Sequence, residues 1–155
     1  MFVPLLLLAC QRVAERFPYG KGYTFVNRWG DTVALDSLRG RTLVVSYFYT
    51  HCPDACPLTM ANLKKLHSSL PDSVREKVLF LSVSIDPERD RPEVLRKYAS
   101  MYGIGSSGWI FLTGDPEEVR RFIKDVGVIA VKGKTEIAPN GDTVYFLTHR
   151  TTSTS

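Results

Sequence analysis

From Thr42 to Tyr49 the chain reads Thr-Leu-Val-Val-Ser-Tyr-Phe-Tyr, an apolar, β-branched and aromatic run with little polar alternation. Such a run suits a strand covered on both faces, so it predicts a buried central strand. Val78 to Ile85 predicts a second one. Between them, Pro57 to Leu70 carries Met60, Leu63, Leu66 and Leu70 at helical spacing and is closed by Pro71. Further on, Pro92 to Tyr102 reads as a helix that Gly103 ends, and Trp109 to Leu112 as a third strand. Asp115 to Val126 reads as a helix with Asp115 as its cap and Pro116 at its first position. Strand, helix, strand, helix, strand implies an α/β fold with a mainly parallel sheet and helices on its faces. In such sheets the functional groups gather beyond the carboxyl ends of the strands.

Two short runs precede this unit. Tyr23 to Val26 and Thr32 to Leu35 flank Asn27-Arg28-Trp29-Gly30-Asp31 and read as a hairpin. Residues 11–22 show no period and contain two glycines and a proline, the composition of a connector. After the unit, Val128 to Val131 and Thr143 to Leu147 read as paired strands around Pro139-Asn140-Gly141-Asp142. With 155 residues, 44% hydrophobic and 23% charged, the chain has room for one domain with one core. A net charge of +4 suits an acidic partner or an anionic lipid surface. The basic residues form no stripe interleaved with aromatics, and nucleic acid is not among the expected partners.

The first residues, Phe2 to Ala9, are apolar but far short of the roughly 20 residues that a membrane-spanning helix needs. They read as the core of a signal peptide over residues 1–10. Leu7-Leu8-Ala9-Cys10 resembles the lipobox of bacterial lipoproteins, in which the cysteine is lipidated and becomes the first residue after cleavage. No Lys or Arg precedes the run, so a piece of another export or anchoring segment is the alternative. Either places the domain in the cell envelope, membrane-anchored and facing outside the cytoplasm, where a thiol pair can cycle to a disulfide.

The chemistry lies in Tyr49-Thr50-His51-Cys52-Pro53-Asp54-Ala55-Cys56-Pro57, at the carboxyl end of the first buried run and the start of the first helix. Cysteines four apart near a helix start lie about one turn apart on one side, close enough to grip one ion or to form one disulfide. The amides of a helix N-terminus favour thiolate over thiol, which predicts a lowered pKa for the pair. Two thiolates with a neutral imidazole suit Cu(I), and zinc also accepts such a set, so spacing alone leaves the metal open. Asp54 reads as a helix cap, and Asp86 as either a turn former with Pro87 or a contact near the site. His67 lies near the apolar face of the helix and reads as a core-edge histidine.

The same segment resembles the Y-T-x-C-P-D-x-C-P signature of the Sco copper chaperones of cytochrome c oxidase assembly. Val83-Ser84-Ile85-Asp86-Pro87-Glu88-Arg89-Asp90-Arg91-Pro92-Glu93-Val94-Leu95 resembles the family's S-V-D-P-E-R-D-x-P-E-x-L block, and Trp109 to Gly114 its W-x-x-L-T-G block. The resemblance implies a thioredoxin-like three-layer fold over residues 23–155 with an extra N-terminal β-hairpin. It also implies copper, held by Cys52, Cys56 and a distant histidine in a loop just before a late strand, which corresponds to His149. Thr148 stands where the family has Asp beside that histidine. His51 occupies a variable position and is expected to point away from the pair. Family members continue past the histidine with a strand, a turn and a final helix, so a C-terminally shortened domain is expected here.

Two functions use Cys52 and Cys56. One is delivery of copper to the binuclear copper centre of the copper-accepting subunit of cytochrome c oxidase, from a lipid anchor at Cys10. The other is a thiol-disulfide reductase that keeps that subunit's cysteines reduced. The three-residue gap and His149 favour the first, because oxidoreductases of this fold typically carry two residues between their cysteines. A peroxide-reducing enzyme is a third, weaker reading.

Overall fold

The computed structural model describes residues 17–53, 55–133, 136–137, 143–144 and 147–151, with no side-chain account of Ala55, Lys132 or any residue from Glu136 onward. Cys10 with its lipobox, Asp54 and the turn at 139–142 therefore lie outside the described residues, and His149 is described through its backbone.

A five-stranded sheet runs in the order β2-β1-β5-β4-β3. Its strands are β1 (Thr24–Asn27), β2 (Thr32–Ala34), β3 (Thr42–Phe48), β4 (Val78–Ser84) and β5 (Trp109–Thr113). β3, β4 and β5 are parallel to one another, and the β1–β2 hairpin joins β5 antiparallel through Val26↔Thr113. The hairpin turn forms because Asn27 Oδ1 accepts from the amides of Trp29 at 2.8 Å and Asp31 at 3.0 Å. Gly30 takes the left-handed backbone that the turn requires, at φ +90°.

The connecting helices are α1 (Ala55–Ser69), a single turn α2 (Asp72–Arg75), α3 (Pro92–Met101) and α4 (Pro116–Asp125). α4 starts as its sequence predicts, with the Asp115 carboxylate accepting from the amides of Glu117 and Glu118 at 2.9 and 3.1 Å. α3 ends as expected at Gly103, with Gly103 N–H bonded to Ser100 and Ile104 N–H to Ala99, the paired bonds of a Schellman stop.

Adjacent strand residues face opposite ways, and the ring contacts show what covers each face. Phe48 meets Tyr98 of α3 at 5.3 Å, and Phe80, in the same-face row, meets His67 of α1 at 5.0 Å. Tyr47 turns the other way and meets Phe122 of α4 at 6.3 Å. Hence α1 and α3 cover one face, α4 covers the other, and three layers result. Phe122 also gathers Tyr23, Phe25 and Phe17 around it at 5.4, 5.1 and 6.2 Å, so the last residues of the expected connector pack against the core.

Three expectations are corrected. β3 is an edge strand of the five-stranded sheet, with Leu43 to Tyr47 half-buried, whereas β4 is buried from Leu79 to Ser84. An apolar run reports covered faces and says nothing of neighbours along the hydrogen-bonding direction. On α1, Leu66 is 45% exposed, and His67 takes its place in the inward stripe of buried Cys56 and Met60 and half-buried Leu63, His67 and Leu70. The third concerns the late hairpin. β6 (Val128–Lys132) pairs with β9 (Leu147–Thr151), while β7 (Glu136–Ile137) pairs with β8 (Thr143–Val144). The partner of Val128 to Val131 is therefore Thr148 to Thr151, and Thr143–Val144 pair with Glu136–Ile137 instead.

Candidate functional site

β3 and β4 end side by side, joined by Ile85 N–H donating to Phe48 O at 2.9 Å. The thiol segment leaves β3 at this carboxyl end and turns into α1. Tyr49 is buried, and Cys52 N–H donates to Tyr49 O at 3.2 Å, which closes the turn. Cys52 is then half-buried three residues ahead of α1, and Cys56, in the first turn of α1, is 2% exposed. The Cys56 amide donates to Cys52 Sγ at 3.4 Å, and both cysteines are in the reduced form. The expected juxtaposition of the pair is present.

The expected lowering of the thiol pKa is not found at Cys56. Burial pushes its thiol up to about 12, its hydrogen bond to the Cys52 side chain and the Asp90 charge add to the rise, and a backbone hydrogen bond from Tyr49 opposes it. Helix amides stabilise a thiolate only within reach of their field, and the loss of water around a sulfur under the sheet edge outweighs them. A soft cation that reaches the pair must displace the Cys56 proton, and it meets Cys52 first.

Next to the thiol turn, Asp90 is fully buried and accepts three hydrogen bonds. Its Oδ2 takes the Thr50 amide at 3.0 Å and the Ser84 hydroxyl at 2.7 Å, and its Oδ1 takes the Thr50 hydroxyl at 2.5 Å. Burial nevertheless raises its pKa above the ordinary carboxylate value, because desolvation exceeds what these bonds return. Neither Asp90 nor Thr50 is singled out as a site residue by its sequence position alone. Asp86 makes the turn that carries Asp90: its carbonyl accepts the Asp90 amide at 2.9 Å, and its carboxylate is bonded to Arg89.

Among the histidines, His51 is exposed, and its Nδ1 lies 3.1 Å from Thr50 Oγ1. His67 sits at the core edge, as expected, between Phe80 and Trp109 at 5.0 and 5.6 Å. The backbone of His149 lies within β9, opposite Ala130, rather than in a loop ahead of a strand. Leu147 to Thr151 completes a continuous ladder with β6, which draws His149 into the strand.

A thiol pair at the strand-to-helix turn of a three-layer α/β sheet defines a thioredoxin-like thiol protein. The SCO1/SenC family model matches residues 11–153, and the chain belongs to the SCO1/SenC family. It is 33% identical over 137 residues to the SCO1 protein homolog of Bacillus subtilis, a match covering 85% of this chain and 70% of that protein. It is 32% identical over 114 residues to the mitochondrial protein SCO2 of Saccharomyces cerevisiae, covering 74% of this chain and 36% of that protein. The chain spans less than half the length of several of the curated relatives that it matches.

Solved structures agree. Bradyrhizobium japonicum ScoI with copper bound superposes with a TM-score of 0.69 at 28% identity, over 84% of this chain and 78% of that one. A SCO1/SenC family lipoprotein from Bacillus anthracis gives 0.63 at 26% identity, over 81% and 73%. BsSco, a Sco-family cytochrome c oxidase assembly protein in which a disulfide switch was identified, gives 0.60 at 33% identity, over 68% and 61%.

Proposed function

We propose that the chain carries a copper ion as cargo on Cys52 and Cys56, with His149 as third ligand, and delivers it to the copper-accepting subunit of cytochrome c oxidase. The observation that carries this reading is the approach of two cysteines, Cys52 in the loop after β3 and Cys56 in the first turn of α1, one half-buried and one buried, with the Cys56 amide on the Cys52 sulfur. Two thiolates form a soft set that suits Cu(I), and the open side of Cys52 gives the ion a way in and out. Membership of a family with a copper-bound relative and an oxidase assembly relative supports the metal and the recipient. His149 rests on its correspondence to the family's histidine.

Among the described residues no helix is long and apolar enough to cross a membrane. We place the domain outside the cytoplasm on a lipid anchor at Cys10. The apolar run ending in Leu-Leu-Ala-Cys supports this, as does the lipoprotein among the solved relatives.

A second reading is a thiol-disulfide reductase. The two sulfurs are within reach of each other, and a disulfide switch is named for a relative. In that reaction the Cys52–Cys56 dithiol passes two electrons and two protons to a partner disulfide and becomes a disulfide itself. Titration of the reduced protein with Cu(I) against a competing chelator separates the two. The copper reading predicts one tight equivalent per chain, which then moves to an apo copper-accepting domain. Binding no tighter than that of the Cys52→Ser/Cys56→Ser double variant contradicts it and leaves the redox reading.

A further inference from the structure

A buried carboxylate is costly unless its oxygens are satisfied, and among the described residues those of Asp90 accept from Thr50 and Ser84. Thr50 supplies two of the three donors, and it stands two residues before Cys52, inside the turn closed by Cys52 N–H and Tyr49 O. Ser84, at the end of β4, supplies the third, so the carboxylate fastens the thiol turn to the end of the neighbouring strand. Asp90 is itself held in place through its amide, which donates to Asp86 O at 2.9 Å. With no exposed surface, Asp90 is closed to an ion from solvent. We propose that Asp90 is a positioning residue for the Cys52–Cys56 pair, acting through Thr50.

Geometry and charge make opposite predictions. Two thiolates with Cu(I) carry a net negative charge, which a nearby carboxylate opposes, so loss of the charge alone favours copper. Loss of the hydrogen bonds frees the turn and disfavours it. Asn at this position keeps the bonds. Its oxygen accepts from the Thr50 amide and the Ser84 hydroxyl, and its NH2 donates to Thr50 Oγ1, whose own proton turns to His51 Nδ1, 3.1 Å away. Asp90→Asn therefore removes charge, and Asp90→Ala removes the tie.

The copper arm of the test rests on the copper reading above. A second arm does not: the equilibrium of the Cys52–Cys56 disulfide with a dithiothreitol buffer, in which the protein disulfide takes two electrons and two protons from the reagent's dithiol. Both are measured on folded protein, well below its melting temperature. Asp90→Ala is expected to weaken Cu(I) binding about tenfold or more, the scale of hydrogen bonds to a charged group. It is also expected to make the disulfide about threefold or more easier to reduce, since a loose turn lowers the effective concentration of one thiol at the other. Asp90→Asn is expected to bind copper at least as tightly as the parent and to keep its disulfide equilibrium. Thr50→Val, which loses the hydroxyl and keeps the amide, is expected to move both readouts as Asp90→Ala does but less far, and it serves if the alanine variant does not fold. Parent values in every folded variant overturn the proposal and leave Asp90 a fold element. An Asp90→Asn loss equal to that of Asp90→Ala also overturns it, in favour of charge. If the parent binds no copper while the disulfide arm still separates Ala from Asn, the copper reading fails and the positioning role stands.

Discussion

The Cys56 amide, in the first turn of α1, donates at 3.4 Å to the sulfur of Cys52 in the loop ahead of the helix. One bond thus ties the inner cysteine to the outer one, and their burial sets the order in which a ligand meets them. Cys52 is half-buried, while Cys56 is closed off and holds its proton.

Removal of either sulfur breaks both chemistries. Cys52→Ser and Cys56→Ser are expected to abolish tight copper binding and the intramolecular disulfide, because a hydroxyl is neither a soft ligand nor a redox partner. His149→Ala is expected to lower copper affinity about tenfold or more and to keep the disulfide, which needs only the two sulfurs. His67→Ala is the control and leaves copper binding at the parent level. Chelator competition and thiol counting after oxidation check all four.

Copper affinity should rise with pH. The Cys56 thiol is pushed up to about 12, so across the neutral range it is protonated and binding must release that proton. Each displaced proton makes apparent affinity climb about tenfold per pH unit. Competition assays at three pH values between 6 and 8 measure the slope, and a flat profile contradicts the account. For the same reason, alkylation at neutral pH should label Cys52 well before Cys56.

The Asp90 carboxylate has a folded pKa above its ordinary 3.8, so folding disfavours its charged form. Its destabilising contribution is present above the raised value and fades as pH falls through that value towards 3.8. Asp90→Asn is therefore expected to melt higher than the parent at pH 7, with the gap narrowing as the pH approaches 4. Melting curves across that range test the sign.

His67 works in the other direction. Burial, aided by the Arg75 charge, holds its pKa below 6.5, so protonation favours the unfolded chain and stability falls as pH drops below 6.5. Its Nε2 is buried without a hydrogen-bond partner among the described residues. His67→Phe keeps a ring between Phe80 and Trp109 and removes that nitrogen. It should raise stability by about 1 kcal/mol near neutral pH and flatten this part of the pH dependence. Equal urea midpoints at pH 5 and pH 7, for parent and variant alike, count against it.

Much of this was legible in the sequence because periodicity and turn chemistry act locally. Asp115 with Pro116, Gly103 after α3, and the Asn27 to Asp31 turn stand where their residue types demand. The thiol pair was legible because a four-residue spacing at a helix start keeps two cysteines close to each other. What a residue does through a distant partner was not. Asp90 looks like any turn aspartate until β3 and β4 bring Thr50 and Ser84 to it. Likewise, Arg28 reads as a hairpin-turn residue, yet it is buried and donates to Ile104 O and Gly105 O at 3.1 and 2.6 Å. On α1 either Leu66 or His67 satisfies helical spacing between Leu63 and Leu70, and the fold puts His67 rather than Leu66 beneath the sheet.

The most direct measurement is X-ray absorption at the copper edge of protein loaded with one equivalent of Cu(I). The account predicts two sulfur scatterers and one nitrogen, the nitrogen lost in His149→Ala and one sulfur lost in each cysteine variant that still retains copper. A first shell of nitrogen and oxygen alone, unchanged by Cys52→Ser and Cys56→Ser, would contradict it.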